Sequence, residues 1–259
     1  MANGRKLPSR GISLKSGRWR LVTPLGEGAY GQTWLALDDV TGEKVAIKLI
    51  PVESHHVHMV PFIKQEARML QSVANECLQN HVVCYKAMVG ATLATGEDAI
   101  GLVMSMAPGT TLNNRHEASE QTLRALARQL FGALTFLHGV GVVHRDVKPE
   151  NVIVDKNNKL TLVDLGIACQ KCPGMYRGLM GTPGYIMPSL MEQMEAATVS
   201  EPVYIPKRQF RMGDMWAAAQ TLQTLAKKGS PTARLLEQLK RYANVGDEAG
   251  VESVVARLT

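Results

Sequence analysis

A fold for this chain has to bring together the side chains of one run, His144-Arg145-Asp146-Val147-Lys148-Pro149-Glu150-Asn151, and of Asp164-Leu165-Gly166 behind it. Between residues 144 and 166 the sequence gathers a carboxylate able to take a proton, a lysine, and two further groups able to bind a metal. A turn aspartate at 146 or a capping asparagine at 151 would explain one residue each, but not the whole run. Two short strands, at 152–154 and 160–163, follow it.

Upstream, residues 18–25, 32–37 and 44–50 read as three strands, with Asp38-Asp39 and Thr41-Gly42 at the second turn. Glycines 26, 28 and 31 join the first two strands, and glycine lets backbone N–H groups approach a polyphosphate without an intervening side chain. Alone, this spacing also fits a dinucleotide fingerprint, but a strand follows it here and not the helix such a site requires. Residues 59–75 then switch to a helical period, with Ile63, Ala67, Leu70 and Ala74 on one face. Glu66 shares that face, and a carboxylate on a buried face is costly unless paired. Lys48, which closes Val45-Ala46-Ile47-Lys48, is the expected partner.

Residues 82–86 and 99–106 read as two more strands, and Ala107-Pro108-Gly109 as a boundary. Ser119 opens a long helix ending near Gly139, with Leu123, Leu126, Leu130, Leu134 and Leu137 at helical spacing. Asp214 is read as the start of a central helix that is apolar on nearly all sides. Leu235, Leu236, Leu239 and Tyr242 suggest one further helix, and Val251, Val254, Val255 and Leu258 a last one.

Taken together, the glycine loop, Val-Ala-Ile-Lys, the run at 144–151, Asp-Leu-Gly and Gly181-Thr182-Pro183-Gly184-Tyr185 resemble the signature by which serine/threonine protein kinase domains are generally recognised, over residues 17–226. The resemblance implies an α+β, bilobal protein-kinase-like fold: a small antiparallel-sheet lobe with one helix at 18–106 and a mainly helical lobe at 107–259. It implies transfer of the γ-phosphoryl group of ATP to a serine or threonine hydroxyl of a protein, with magnesium as cofactor. Asp146 would orient the attacking hydroxyl and accept its proton, and Lys148 would neutralise charge on the transferred group. Asn151 and Asp164 would bind the metal. Gly26, Gly28, Gly31, Thr33, Ala46, Lys48, Glu66, Met104, Met106 and Ile153 would form or support the nucleotide site, with 105–107 as the hinge against adenine.

The pattern departs from the family in places. Thr33 stands where valine is usual, and Leu165 where phenylalanine is commoner. Met187-Pro188-Ser189 replaces Ala-Pro-Glu, whose glutamate normally pairs with an arginine late in the C-lobe. The chain after the central helix is short, so the C-lobe is read as reduced, and the insertion 190–213 is expected to fold against it and bury Met191 and Met194. Between Gly166 and Thr182 there is no serine or threonine, so activity is expected without Ser/Thr phosphorylation of that segment.

Net charge is +6, and much of it lies in Arg5, Lys6, Arg10, Lys15, Arg18 and Arg20. Residues 1–17 are read as a flexible basic leader, and without interleaved aromatics they give no case for specific nucleic-acid recognition. No apolar run spans a bilayer and no signal peptide opens the chain. With four cysteines, including Cys169 and Cys172 read as ordinary thiols, this points to an intracellular protein, cytoplasmic or delivered into a cytosol or nucleus. His55, His56 and His58 are read as a solvated connection and not a metal site. Two alternatives share the fold. A kinase-like scaffold is favoured only by the missing helices, and a small-molecule kinase is opposed by Lys148-Pro149-Glu150-Asn151 and the Gly-Thr-Pro-Gly-Tyr loop.

Overall fold

A computed structural model describes residues 11–28, 31–52, 60–170, 172, 174–176, 178–198 and 200–259. Ala29 and Tyr30 of the glycine loop, His55, His56 and His58, and the first ten residues of the expected leader lie outside these. The chain forms two compact units: residues up to Ala74 with Val83–Ala107, and Asn75–Val82 with Pro108–Thr259.

The first unit is built on a six-stranded antiparallel sheet of order β1-β5-β6-β4-β3-β2. Its strands are β1 (Ser13–Leu14), β2 (Trp19–Gly28), β3 (Gly31–Asp38), β4 (Lys44–Pro51), β5 (Tyr85–Thr92) and β6 (Asp98–Ser105). Side chains alternate across a strand, and directly opposed residues share a face. On one face Trp34, Ala36, Val45, Ile47, Leu49 and Val103 form the core. The other face carries Thr33 opposite Lys48, and Ala46 opposite Met104. Strand register alone thus collects four of the expected nucleotide-site residues.

Helix α1 (Val60–Ser72) packs on β5 and β6 and buries Ile63, Glu66, Ala67 and Leu70. It ends before Ala74, which is exposed, so the helical period read through that residue overran the helix. The expected strand at 82–86 also divides. Val82 pairs with Leu162 in the second unit, and β5 begins only at Tyr85. Of the three glycines, Gly31 has a strict steric reason. Its φ is +134°, and a Cβ there would lie 2.1 Å from the Leu49 carbonyl oxygen.

Part of the supposed leader is folded. Ser13 and Leu14 pair with Thr92 and Ala91, and the Lys15 ammonium sits 2.8 Å from the Asp98 carboxylate. Pairing covers the β5 edge, which would otherwise present unsatisfied backbone groups.

The second unit is mainly helical: α2 (Glu120–Gly139), α3 (Pro188–Ala196), α4 (Lys207–Gln223), α5 (Pro231–Asn244) and α6 (Glu248–Leu258). A three-stranded sheet, β7 (Thr110–Thr111), β8 (Val152–Val154) and β9 (Leu160–Leu162), and a two-stranded one, β10 (Met175–Tyr176) with β11 (Val203–Tyr204), complete it. Ser119 caps α2 by accepting the Thr122 N–H, and the leucine stripe from Leu123 to Leu137 is wholly buried. At the start of α2, Glu120 accepts both the N–H and the hydroxyl of Thr232, which fixes the first turn of α5. Those bonds hold the Glu120 carboxyl below its ordinary range. Among the described residues no helix is long and apolar enough to cross a membrane.

The segment read as an insertion is ordered by the rules that build the rest. Met194 is buried on α3, and Met191 is partly buried. Helix α4 begins at Lys207, so Asp214 is an interior residue of the helix and not its first. Where the glutamate of the usual pair is absent, the Ser189 N–H at the start of α3 donates to Asn244 Oδ1 at 3.0 Å. A side-chain amide from the end of α5 therefore satisfies a helix N-terminus in place of an ion pair. Cys169 and Cys172, expected as ordinary thiols, are joined by a disulfide, and none of the four cysteines is free. Their spacing leaves the Cα atoms 5.1 Å apart, within the range a disulfide needs.

The Arg18 guanidinium binds buried Asp38 through two hydrogen bonds of 2.7 and 3.0 Å, and with the Val40 and Thr41 amides it holds that carboxyl at about 2, below its ordinary 3.8. A depressed carboxyl pKa adds stability above the unfolded value and loses it as pH falls toward the folded one. The melting temperature of Arg18→Ala should therefore lie below that of the wild type at neutral pH, and the gap should close as pH falls from 3.8 to about 2. A gap that stays constant across that window would remove Asp38 from the explanation.

Candidate active site

In the first unit, the Lys48 ammonium meets Glu66 at 2.8 Å, with the two residues only 8% and 1% exposed. The helical period placed a carboxylate on a buried face, and β4 supplies the matching charge. Removing one partner would leave the other charge buried, which costs roughly 3–5 kcal/mol. The pair therefore fixes where the Lys48 ammonium stands.

In the second unit the run at 144–151 folds around a carboxylate that sequence reading did not assign to it. Asp214, 1% exposed inside α4, accepts the His144 N–H at 2.9 Å and the Arg145 N–H at 2.7 Å. His138 Nε2 completes the set at 2.8 Å. An anion accepting several N–H donors is a strong restraint on backbone. It holds Arg145 at φ +69°, in the left-handed region that non-glycine residues seldom occupy. The signal was present in the sequence: a charged residue within an apolar stretch of helix must be paired.

Asp146 then stands among several polar contacts. The Thr182 hydroxyl donates to its Oδ1 at 2.6 Å, and the Lys148 ammonium lies 2.8 Å from its Oδ2 and donates to Thr182 Oγ1 at 2.7 Å. Asn151 Nδ2 donates to the Asp146 carbonyl at 2.8 Å and to Oδ2 at 3.2 Å. Because both amide hydrogens of Asn151 serve Asp146, its Oδ1 is left as a ligand atom. Val163 donates its N–H to the Asn151 carbonyl at 2.9 Å, and Val152 pairs with Leu162. The hairpin register thus puts Asp164, at φ +64°, beside Asn151, two oxygen donors at one end of one ladder. That pairing suits a hard cation that keeps several waters.

His144 ties these parts together. Its Nδ1 accepts the Asp146 N–H at 3.3 Å, which leaves Nε2 as the donor toward the Val163 carbonyl at 3.2 Å. Nearby, Arg145 Nε donates to the Ile167 carbonyl at 2.6 Å, and Lys207 Nζ donates to the carbonyls of Gly141 and Gln170. Burial, and then the Arg211 charge, push the Lys207 ammonium below its ordinary pKa.

Residues 19–248 match the family described as the protein kinase domain. The chain belongs to the protein kinase family. The match runs past residue 226, where the resemblance read from motifs stops. Relatives include CBL-interacting protein kinase 19 of Oryza sativa subsp. japonica, 35% identical over 70% of this chain and 36% of the relative. CBL-interacting serine/threonine-protein kinase 12 of Arabidopsis thaliana is 33% identical over 68% of the chain and 36% of its own length. Maternal embryonic leucine zipper kinase of Xenopus laevis is 29% identical over 67% and 26%. The chain thus spans about a quarter to a third of the length of these relatives.

For this kinase domain, the expected site residues fall into two sets, one per unit. Gly26, Gly28, Gly31, Thr33, Ala46, Lys48, Glu66, Met104 and Met106 belong to the first, with Met104 buried and Met106 partly exposed. Asp146, Lys148, Asn151, Ile153 and Asp164 belong to the second, where Ile153 on β8 pairs with Thr111 and Thr161. The residues missed from sequence are Asp214 and Lys207, each of which bonds a backbone segment far away in the chain, and His138, which bonds the Asp214 carboxylate.

Asp214→Ala should leave two loop amides without their acceptor, at a cost of about 1–3 kcal/mol each. Urea unfolding of the variant checks this. A loss well under about 1 kcal/mol would mean the loop does not depend on that carboxylate.

Proposed function

We propose that the domain transfers the γ-phosphoryl group of ATP to serine or threonine hydroxyls of protein substrates. The observation that carries this is the cluster around Asp146: a carboxylate with a lysine, an asparagine and a threonine hydroxyl, all within 3.2 Å. The substrate hydroxyl would approach Asp146 and Lys148 beside the Thr182 hydroxyl, which bridges the two and holds them in place. As its oxygen bonds to the γ-phosphorus, its proton passes to the Asp146 carboxylate, and the bond to the bridging oxygen breaks with the electron pair leaving on ADP. Lys148 sets a positive charge against the transferred oxygens. Asn151 and Asp164 would hold magnesium, which when bound neutralises phosphate charge. In the first unit, Lys48 held by Glu66 is the phosphate-binding cation, the backbone at Gly26, Gly28 and Gly31 is the phosphate lid, and Thr33, Ala46 and Met104 offer a surface for adenine.

Lys148 with Thr182 supports serine or threonine as acceptor, as does the similarity to an Arabidopsis serine/threonine-protein kinase. Asp146→Asn should lower turnover on a peptide library by roughly 10²–10⁴-fold, the scale for a positioned base, while ATP binding persists. Radiolabelled ATP with wild type and variant side by side decides it. Near-normal transfer by Asp146→Asn would overturn the assignment, and tyrosine as the sole acceptor would overturn the specificity.

A further inference from the structure

Arg145 precedes the catalytic aspartate, and the segment from Asp164 to Thr182 must be held for Thr182 to reach Asp146. A phosphate on that segment could do so by bridging to an arginine, but residues 167–181 contain no serine or threonine, and Tyr176 is their one hydroxyl. The Arg145 guanidinium is occupied otherwise. Its Nε donates to the Ile167 carbonyl, and its carbon lies 6.0 Å from the centroid of the Phe210 ring. The space lined by Arg145, Met180, Tyr185, Phe210 and Asp214 measures about 20 Å³, room for one water.

What holds the segment comes from residues 203–210. Met175 and Tyr176 pair with Tyr204 and Val203, and the Ile205 N–H donates to the Gly174 carbonyl at 2.8 Å. The Tyr204 ring lies over Gly174 so closely that a Cβ there would stand 2.4 Å from it, so the glycine and the tyrosine fit only as a pair. Lys207 is the junction. Its ammonium donates at 2.5 Å to Gly141, just before the loop, and at 2.7 Å to Gln170 within the segment. Between these two carbonyls, Val143 and Cys169 exchange both backbone hydrogen bonds at 2.9 Å. A phosphate would bridge two donors with its oxygens. Here one cation bridges two acceptors, and charge assistance strengthens each bond.

We propose that Lys207 is a positioning residue for phosphotransfer, and that with the strand at Tyr204 it replaces activation-segment phosphate by clamping the segment to the catalytic loop from within the chain. The proposal rests on the kinase reading above, but its structural half does not. Lys207→Met should lower kcat roughly 10–100-fold, the effect of losing a hydrogen bond to a charged group, with the KM for ATP within about twofold of wild type. Lys207→Arg keeps two donors and should recover most of that loss. Treatment with a phosphatase, checked by mass spectrometry, should leave wild-type activity in place. Amide hydrogen exchange on the same proteins should quicken at Val143 and Cys169 in Lys207→Met. In Tyr204→Ala, a change at an exposed side chain that spares the core, it should quicken around Gly174–Tyr176.

Unchanged exchange at these amides in both variants would overturn the clamp, whatever the activity. Loss of activity on phosphatase treatment would overturn the replacement of phosphate, and so would a wild-type kcat in Lys207→Met. If the wild type transferred no phosphate to any peptide, the kinase reading would fail, and the exchange result would still decide the clamp.

Discussion

A single buried carboxylate organises the second unit. Asp214 sits inside α4 and receives two consecutive backbone N–H groups from the loop at His144 and Arg145. An anion in a low-dielectric setting is tolerated only when its lone pairs are filled, so helix and loop are committed to one arrangement. The left-handed backbone at Arg145 persists because those bonds over-determine it. From that fixed turn the remaining geometry follows. Asp146 is set beside Lys148 and Thr182, Asn151 spends its amide on Asp146, and the β8–β9 ladder brings Asp164 to the same end.

The first unit solves a related problem with register. Antiparallel pairing places Thr33, Ala46, Lys48 and Met104 on the face of the sheet opposite its core, so the residues proposed for the nucleotide site need no loop to gather them. Only Lys48 needs a further restraint, because a long flexible cation has many rotamers to lose. Glu66 on α1 supplies it, and the pair's burial makes the restraint strict.

Much of this was legible in the sequence where the information is local. The run at 144–151 fixes its own chemistry, and the helical period through Ile63, Ala67 and Leu70 exposed Glu66 as a carboxylate in need of Lys48. Ser119 announced its helix by its own side chain. What could not be read depends on contacts between distant residues that no period encodes. Asp214 lies 70 residues from His144, and Asn244 is 55 from Ser189. Strand β1 is two residues long and is defined only by its pairing with the β5 edge. Of the two methionines expected to be buried, Met194 is and Met191 only partly so; helix α4 begins at Lys207, seven residues before Asp214, because the apolar period that marks the helix starts only within it. Lys207 spends its charge on carbonyls.

The central claim is that the loop at 144–151 is assembled by the chain's own hydrogen bonds, with His144 joining the aspartate turn to the end of the strand before Asp164. The protonation of the His144 ring tests this most directly, since Nδ1 must accept from Asp146 while Nε2 donates to Val163. Nitrogen-15 NMR of the ligand-free, unphosphorylated protein should find the ring proton of His144 on Nε2. A proton on Nδ1, or a ring averaging between tautomers, would mean that the loop is not held as described and that the account of its assembly is wrong.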